Sequence, residues 1–223
     1  MIGFAINPRQ RAVSADAVER FRAIPVANVS DCMSRMSAGG ARLRPMHNGA
    51  PMAGPALTVC CRPGDNLLVH KALDLAVPGD VIVVDAGGDL TNAIIGEIMA
   101  AYAETRGVAG IVINGAIRDA GTLRQGALPV YAAGVTHRGP YKDGPGVING
   151  TIALDGMTIE PGDLILGDDD GLLCVPYDQV EELYQASSAK HKAELEMLAQ
   201  IAAGKLDTSW IDARLAAQGC KLK

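Results

Sequence analysis

The sequence predicts a mixed α/β fold with a β-rich core. Three observations lead there: an apolar run, helical pattern and second apolar run between residues 81 and 121; a Pro-Gly-Asp turn used three times ahead of an apolar segment; and a succession of short apolar runs separated by Gly-rich turns from 127 to 176. Proline presets the first dihedral of a turn and glycine takes the positive one, so each PGD can aim a short buried strand. The three launches read RPGDNLLVH, VPGDVIVVDAGG and EPGDLILGDDDG. Their unequal spacing excludes a solenoid repeat.

Taken in chain order, residues 14 to 38 carry helical patterning, with Val18, Phe21 and Ile24 ahead of Pro25. Ser30 or Asp31 is placed to cap a second helix. Asn92 to Thr105 reads as a helix opening at NAIIGE, and Gly110 to Asn114 as a buried strand of the parallel-sheet type. LPVYAAG, GVINGTIALDGMTI and GLLCVP read as further strands, and Asp168 to Asp170 as a polar turn between two of them, since the run lacks the ligand spacing of a calcium loop. After Pro176, residues 178 to 203 form a long helix with Val180, Leu183, Tyr184, Leu198, Ile201 and Ala202 on one stripe. At about 100° per residue His191 and Glu194 join that stripe, whereas Glu182 and Glu196 do not.

The bulk numbers bound the function. With 223 residues and 48% hydrophobic content, the chain can bury one large core. A net charge of −5, from 20 basic and 25 acidic residues, offers no continuous basic face for a phosphate backbone, which argues against direct nucleic-acid binding and for a small ligand. Cys32, Cys60, Cys61, Cys174 and Cys220 show no metal-ligand spacing and read as reduced thiols, so a cytoplasmic setting is expected. No run approaches the roughly 18 apolar residues of a membrane span. Gly87 and Gly88 lack the spacing of a dinucleotide loop.

The chemistry concentrates at GIVINGAIRDAG, where Arg118 and Asp119 follow an apolar strand. A guanidinium beside a carboxylate can hold an anionic substrate and a divalent cation together, and loops after sheet strands commonly carry chemistry. Adjacent charges elsewhere are usually a solvated pair. Of the histidines, His47 and His70 show no partner in the sequence, His137 lies in a loop, and His191 reads as structural. Arg138 and Lys142 read as surface charge near the mouth of a site.

GGDLTNAIIGEIM, NGAIRDAG, PVYAAGVTHRGP and PGDLILGDDDGLLCVP together resemble the 4-hydroxy-4-methyl-2-oxoglutarate aldolases, class II pyruvate aldolases that share their fold with the regulator of RNase E activity A proteins, RraA. The likeness spans roughly residues 20 to 205. It implies a three-layer β/β/α core like that of swivelling domains, with N-terminal helices and a long C-terminal helix, 178–203, packing on a neighbouring subunit of a trimer or hexamer. It implies one domain over 1–223 and a divalent cation, magnesium or manganese, on Asp119. Gly96, Glu97, Ile98 and Met99 would bind substrate, and Arg118 would contact its keto-acid portion. Glu97 would hold metal-bound water, and Glu194 would be the glutamate contributed by the neighbouring subunit. The implied activity is cleavage of 4-hydroxy-4-methyl-2-oxoglutarate or a related 4-hydroxy-2-oxo acid to pyruvate, with decarboxylation of oxaloacetate. The other activity in such a family is inhibition of a ribonuclease by protein contact. Those regulators tend to end before an extended C-terminal helix. The helix carrying Glu194 therefore favours catalysis.

Overall fold

The structure is a computed structural model that describes residues 3–36 and 41–220. The chain divides into two compact units, one ending at Ser187 and the other starting at Ser188.

The first unit is built on one large sheet in the order β1 (Phe4–Ile6), β8 (Gly146–Ile148), β3 (Met52–Cys61), β4 (Val81–Asp85), β6 (Gly110–Ile117), β7 (Val130–Val135), β2 (Arg44–Pro45). β4 lies parallel to β3 and β6, and β6 parallel to β7. The first half of β3 turns aside to pair with β11 (Leu164–Asp168), which hairpins onto β12 (Gly171–Val175) through the Asp168–Asp170 turn. A small hairpin, β9 (Ile152–Leu154) with β10 (Met157–Ile159), completes that second β layer.

Strand periodicity sorts the core into three. In β4, Ile82 and Val84 face one way and join α3 (Leu67–Leu75) and α4 (Glu97–Thr105) in one apolar cluster. Val81 and Val83 face the other way and meet Ile152, Met157, Ile165 and Cys174 of the second β layer. β11 repeats the division, because Leu164 and Leu166 point outward onto Phe21 of α1 (Ala15–Arg22) and Val29 of α2 (Val26–Cys32). Helices, sheet and second β layer thus form the expected β/β/α core, with the N-terminal helices covering its outer β face. Every residue of β6 is buried, as a central parallel strand requires.

Several local expectations need correction. Ser30 and Asp31 lie inside α2, whose N-cap is Pro25, and the N-terminal N–H of Val26 is satisfied by the Asp168 carboxylate at 2.9 Å. RPGDNLLVH opens a helix, α3, rather than a strand: Leu68, Val69, Ala72 and Leu73 recur at helical spacing on its buried face. Within the segment expected to be helical from Asn92, residues Ala93–Ile95 form a strand, β5, that pairs with the end of β6, and the helix begins only at Glu97.

A short 3-10 turn, Tyr177–Gln179, leads into the long helix α6 (Val180–Ala202). Its beginning belongs to the first unit, where Val180 and Leu183 are buried. In the second unit, the rest of α6 and α7 (Ser209–Ala217) leave Leu198, Ile201 and Trp210 largely exposed. Within that part of α6, His191 and Glu194 are half-buried, and Glu194 pairs with Lys190 at 3.1 Å. No helix among the described residues is long and apolar enough to cross a membrane.

Candidate active site

The site forms where β5 lies against the end of β6. Ala93 pairs with Ala116 and Ile95 with Ile117, and the register is tied off by the Arg118 N–H donating to Ile95 O at 3.0 Å. This alignment brings the β5–α4 junction, Gly96, directly beside Arg118 and Asp119. A helix through 92–96 could not make it, since a strand offers its backbone laterally and a helix does not.

Asp119 sits in the left-handed region, φ 55°, which Asp tolerates better than most residues. That backbone turn ends the strand direction and starts the short helix α5 (Ala120–Leu123), whose Thr122 and Leu123 N–H groups donate to Asp119 O. It also swings the carboxylate back over α4. Asp119 Oδ2 accepts from the main-chain N–H of Glu97 at 3.0 Å and lies 3.6 Å from Arg118 Nε. Both charged side chains remain about two-fifths exposed, so they are held by the protein but open to a ligand.

Gly96 is required by space rather than by dihedral. A Cβ there would fall on Asp119 Oδ2 and come within 2.8 Å of Arg118 Cγ. Beyond Gly96, α4 begins. The first N–H groups of a helix have no partner within it and carry the positive end of its dipole, which suits a carboxylate. The N–H groups of Glu97, Ile98 and Met99 are thus presented next to the Arg118 guanidinium. One of them already serves the Asp119 carboxylate.

A cleft of ≈ 200 Å³ opens here, with Gly96, Ile98, Met99 and Arg118 on one side and Asn66, His70, Pro140 and Lys142 on the other. Its lining holds Arg118, Lys142 and His70 and no carboxylate. The size suits a small acid. His70 is held below its usual pKa, first by burial and then by the Lys142 charge, with Asp74 acting against them. Ile98 is 79% exposed at the rim of the cleft.

Of the residues expected from sequence, Gly96, Glu97, Ile98, Met99, Arg118 and Asp119 come together here. Glu194 lies in the second unit. Asn66 and His70 were not anticipated, because nothing local in RPGDNLLVH marks them as cleft residues. Lys142, expected to be surface charge near the mouth, lines the cleft wall.

The donor set can be tested against a divalent cation. Among the described residues no cluster of three or more His, Cys, Asp or Glu side chains could hold a metal by itself. Asp119 instead offers one hard oxygen donor, partly exposed beside Arg118 of the cleft wall, in a space that a Cβ at Gly96 would fill. Magnesium keeps several waters and often takes only one or two protein carboxylates, so this arrangement fits such an ion. Thiol chemistry is not offered: Cys60 is exposed on β3, its pKa raised by burial and then by Asp85, and burial pushes the Cys61 thiol up to about 12.

Comparison with known proteins shows the family of the chain. A family model described as RraA-like, Aldolase/RraA, matches residues 26–174. A Halalkalibacterium halodurans protein named "Putative 4-hydroxy-4-methyl-2-oxoglutarate aldolase" is 41% identical over 175 residues, covering 78% of this chain and 83% of its own. Among solved structures, the RNA-processing inhibitor RraA from Thermus thermophilis is 32% identical with a TM-score of 0.63, covering 68% of this chain and 92% of that one. RraAS2 from Streptomyces coelicolor, described as an unusual member of the RNase ES inhibitor RraA protein family, is 27% identical with a TM-score of 0.76, covering 86% of this chain and 99% of that one. The chain belongs to the RraA-like Aldolase/RraA family.

Proposed function

We propose that the protein is a divalent-metal-dependent lyase that cleaves 4-hydroxy-4-methyl-2-oxoglutarate or a related 4-hydroxy-2-oxo acid to pyruvate, and that it decarboxylates oxaloacetate at the same site. The observation that carries this reading is the placement of Gly96, Arg118 and Asp119. The first turn of α4 and the Arg118 guanidinium line one small cleft, and the Asp119 carboxylate, capable of holding a cation, lies 3.6 Å from that guanidinium. A 2-oxo acid needs those three things.

The N–H groups of Ile98 and Met99 in the first turn of α4 bind and orient the substrate carboxylate, with Gly96 permitting close approach. Asp119 would hold magnesium or manganese; when bound, the cation supplies Lewis acidity that stabilises negative charge developing on the 2-oxo oxygen as the C3–C4 bond breaks. Arg118 adds a second positive contact to that oxygen, preset because its backbone is locked to Ile95. In retro-aldol cleavage the 4-hydroxyl proton must leave as its carbon becomes a carbonyl. A water held between Glu97 and Glu194 accepts it, Glu194 being supplied by a neighbouring copy in a trimer or hexamer. The proton then returns to C3 of the enolate, giving pyruvate. Loss of CO2 from oxaloacetate breaks the equivalent bond and uses the same Arg118 contact. The expected setting is the cytoplasm, with the whole chain acting as one domain per copy.

The rival is a regulator that binds a ribonuclease, as the names of the Thermus and Streptomyces relatives describe for those proteins. Measuring pyruvate released from 4-hydroxy-4-methyl-2-oxoglutarate and from oxaloacetate, with magnesium and with a chelator, separates the two. The lyase reading expects release that chelation abolishes. No pyruvate from either substrate would overturn it in favour of the regulator.

A further inference from the structure

Asp65 is a buried carboxylate, 0% exposed, that the chemistry above does not use. It lies between two segments 78 residues apart. Its Oδ2 accepts from the N–H of Asp143 at 2.7 Å, the N–H of Gly144 at 2.9 Å and the Arg62 guanidinium at 3.1 Å; its Oδ1 accepts from the N–H of Leu67 at 3.0 Å. Three of those donors are main-chain groups. A carboxylate so bonded fixes backbone, since a buried N–H that loses its acceptor is destabilising.

What it fixes is one wall of the cleft. The Leu67 bond anchors the start of α3, the helix that presents His70, while the Asp143 and Gly144 bonds hold the loop that presents Pro140 and Lys142. Backbone bonds run alongside, from Asn66 N to Tyr141 O at 3.0 Å and from Tyr141 N to Gly64 O at 2.8 Å, but they stop at Tyr141. Past that point the loop is tied to the 62–67 segment by the buried Asp65 carboxylate and by an exposed Arg62–Asp143 ion pair at 3.7 Å, until Arg62 N meets Pro145 O. Lys142 lies within this stretch. The opposite wall, Gly96 with Arg118 and Asp119, is built from β5, β6 and α4 and makes no use of Asp65.

We propose that Asp65 is a positioning residue for this site: by stapling the 142–144 loop to the start of α3 it sets the wall that meets the part of a 2-oxo acid beyond its first carbons. The proposal rests on the reading of this cleft as a 2-oxo acid site. The two walls are joined where Asn66 donates to Ile94 O at 2.8 Å and where the Ala93 N–H donates to Arg138 O at 2.8 Å. Neither bond uses the Asp65 carboxylate, so loosening the 142–144 stretch changes how a long ligand fits and leaves a short one alone.

The test uses the full chain, wild type and Asp65→Asn, with magnesium, and two probes followed by calorimetry. Oxalate is short enough to contact only the Gly96–Arg118–Asp119 wall, whereas 2-oxoglutarate extends across the cleft. Asp65→Asn is expected to weaken 2-oxoglutarate about tenfold while oxalate stays within about twofold. Amide hydrogen exchange at Asp143 and Gly144 is expected to quicken in the variant. Equal weakening of both probes, no weakening of either, unchanged exchange at those two amides, or wild-type protein that binds neither probe would overturn the proposal. If Asp65→Asn does not fold, Asp65→Glu, which keeps the charge one methylene too far out, carries the same comparison. If Asp65→Asn shows the split in binding but the wild type releases no pyruvate, this inference stands and the lyase reading falls.

Discussion

The main-chain N–H of Glu97 donates to Asp119 Oδ2 at 3.0 Å, joining the first turn of α4 to the turn that ends β6. This bond orients the proposed metal-binding carboxylate from behind, and the absent side chain at Gly96 makes room for it.

Gly96→Ala is therefore a severe change at an ordinary-looking position. The new methyl would displace the Asp119 carboxylate and crowd Arg118 Cγ. Overpacking of this kind costs about 1–3 kcal/mol in stability, and a displacement near 1 Å at a reacting site costs about 10²-fold in rate. Thermal unfolding beside pyruvate release should show a modest loss of the first and a near-complete loss of the second.

Asp119→Asn should keep the fold, because Asn also tolerates the left-handed backbone, and should lose metal-dependent turnover. Full activity without added metal would remove the mechanism. Arg118→Lys should cost about 10²–10³ in kcat/KM, because a point charge does not reproduce the donors of a planar guanidinium.

Glu194→Gln should depress turnover far more than metal affinity, read by activity against calorimetric titration of magnesium. Equal losses in both count against a proton-relay role. If Glu194 acts from a neighbouring copy, unfolding and refolding a mixture of the Glu194→Gln and Asp119→Asn proteins should recover activity that neither shows alone.

His70 gives a pH signature. Burial, then Lys142, lowers its pKa below the ordinary 6.5, so the folded protein favours the neutral ring. The unfolded chain takes up the proton first as pH falls. Stability from this group is thus complete above about pH 6.5 and declines as pH drops through 6.5 toward the lower folded value. The urea midpoint of His70→Gln should depend less on pH between 7 and 5 than that of the wild type. An identical slope would contradict the assignment.

Periodicity and turn chemistry made most of this fold legible. VIVVD and GIVIN are apolar throughout because both faces of a parallel strand are covered, and PGD launches two strands as expected. The same turn before NLLVH launches a helix, since the pattern of Leu68, Val69, Ala72 and Leu73 has helical rather than strand period. NAII was misread for a different reason: Ala93–Ile95 is too short to display a period, and its strand form comes from pairing with Ala116 and Ile117 across the fold. Arg118 and Asp119 were legible through their place after an apolar strand. The cleft wall was not, because Asp65 meets Asp143 and Gly144 through a contact 78 residues long that leaves no local mark. The C-terminal stripe is a third case: Val180 and Leu183 are buried as the pattern implies, whereas Leu198 and Ile201 stay exposed in the single chain.

The most direct measurement is a crystal structure of the protein with pyruvate and magnesium. The account expects the cation on Asp119, the pyruvate carboxylate against the first N–H groups of α4, and the keto oxygen within reach of the Arg118 guanidinium. Pyruvate bound away from Arg118 and Asp119, or a cation held by other side chains, would contradict it.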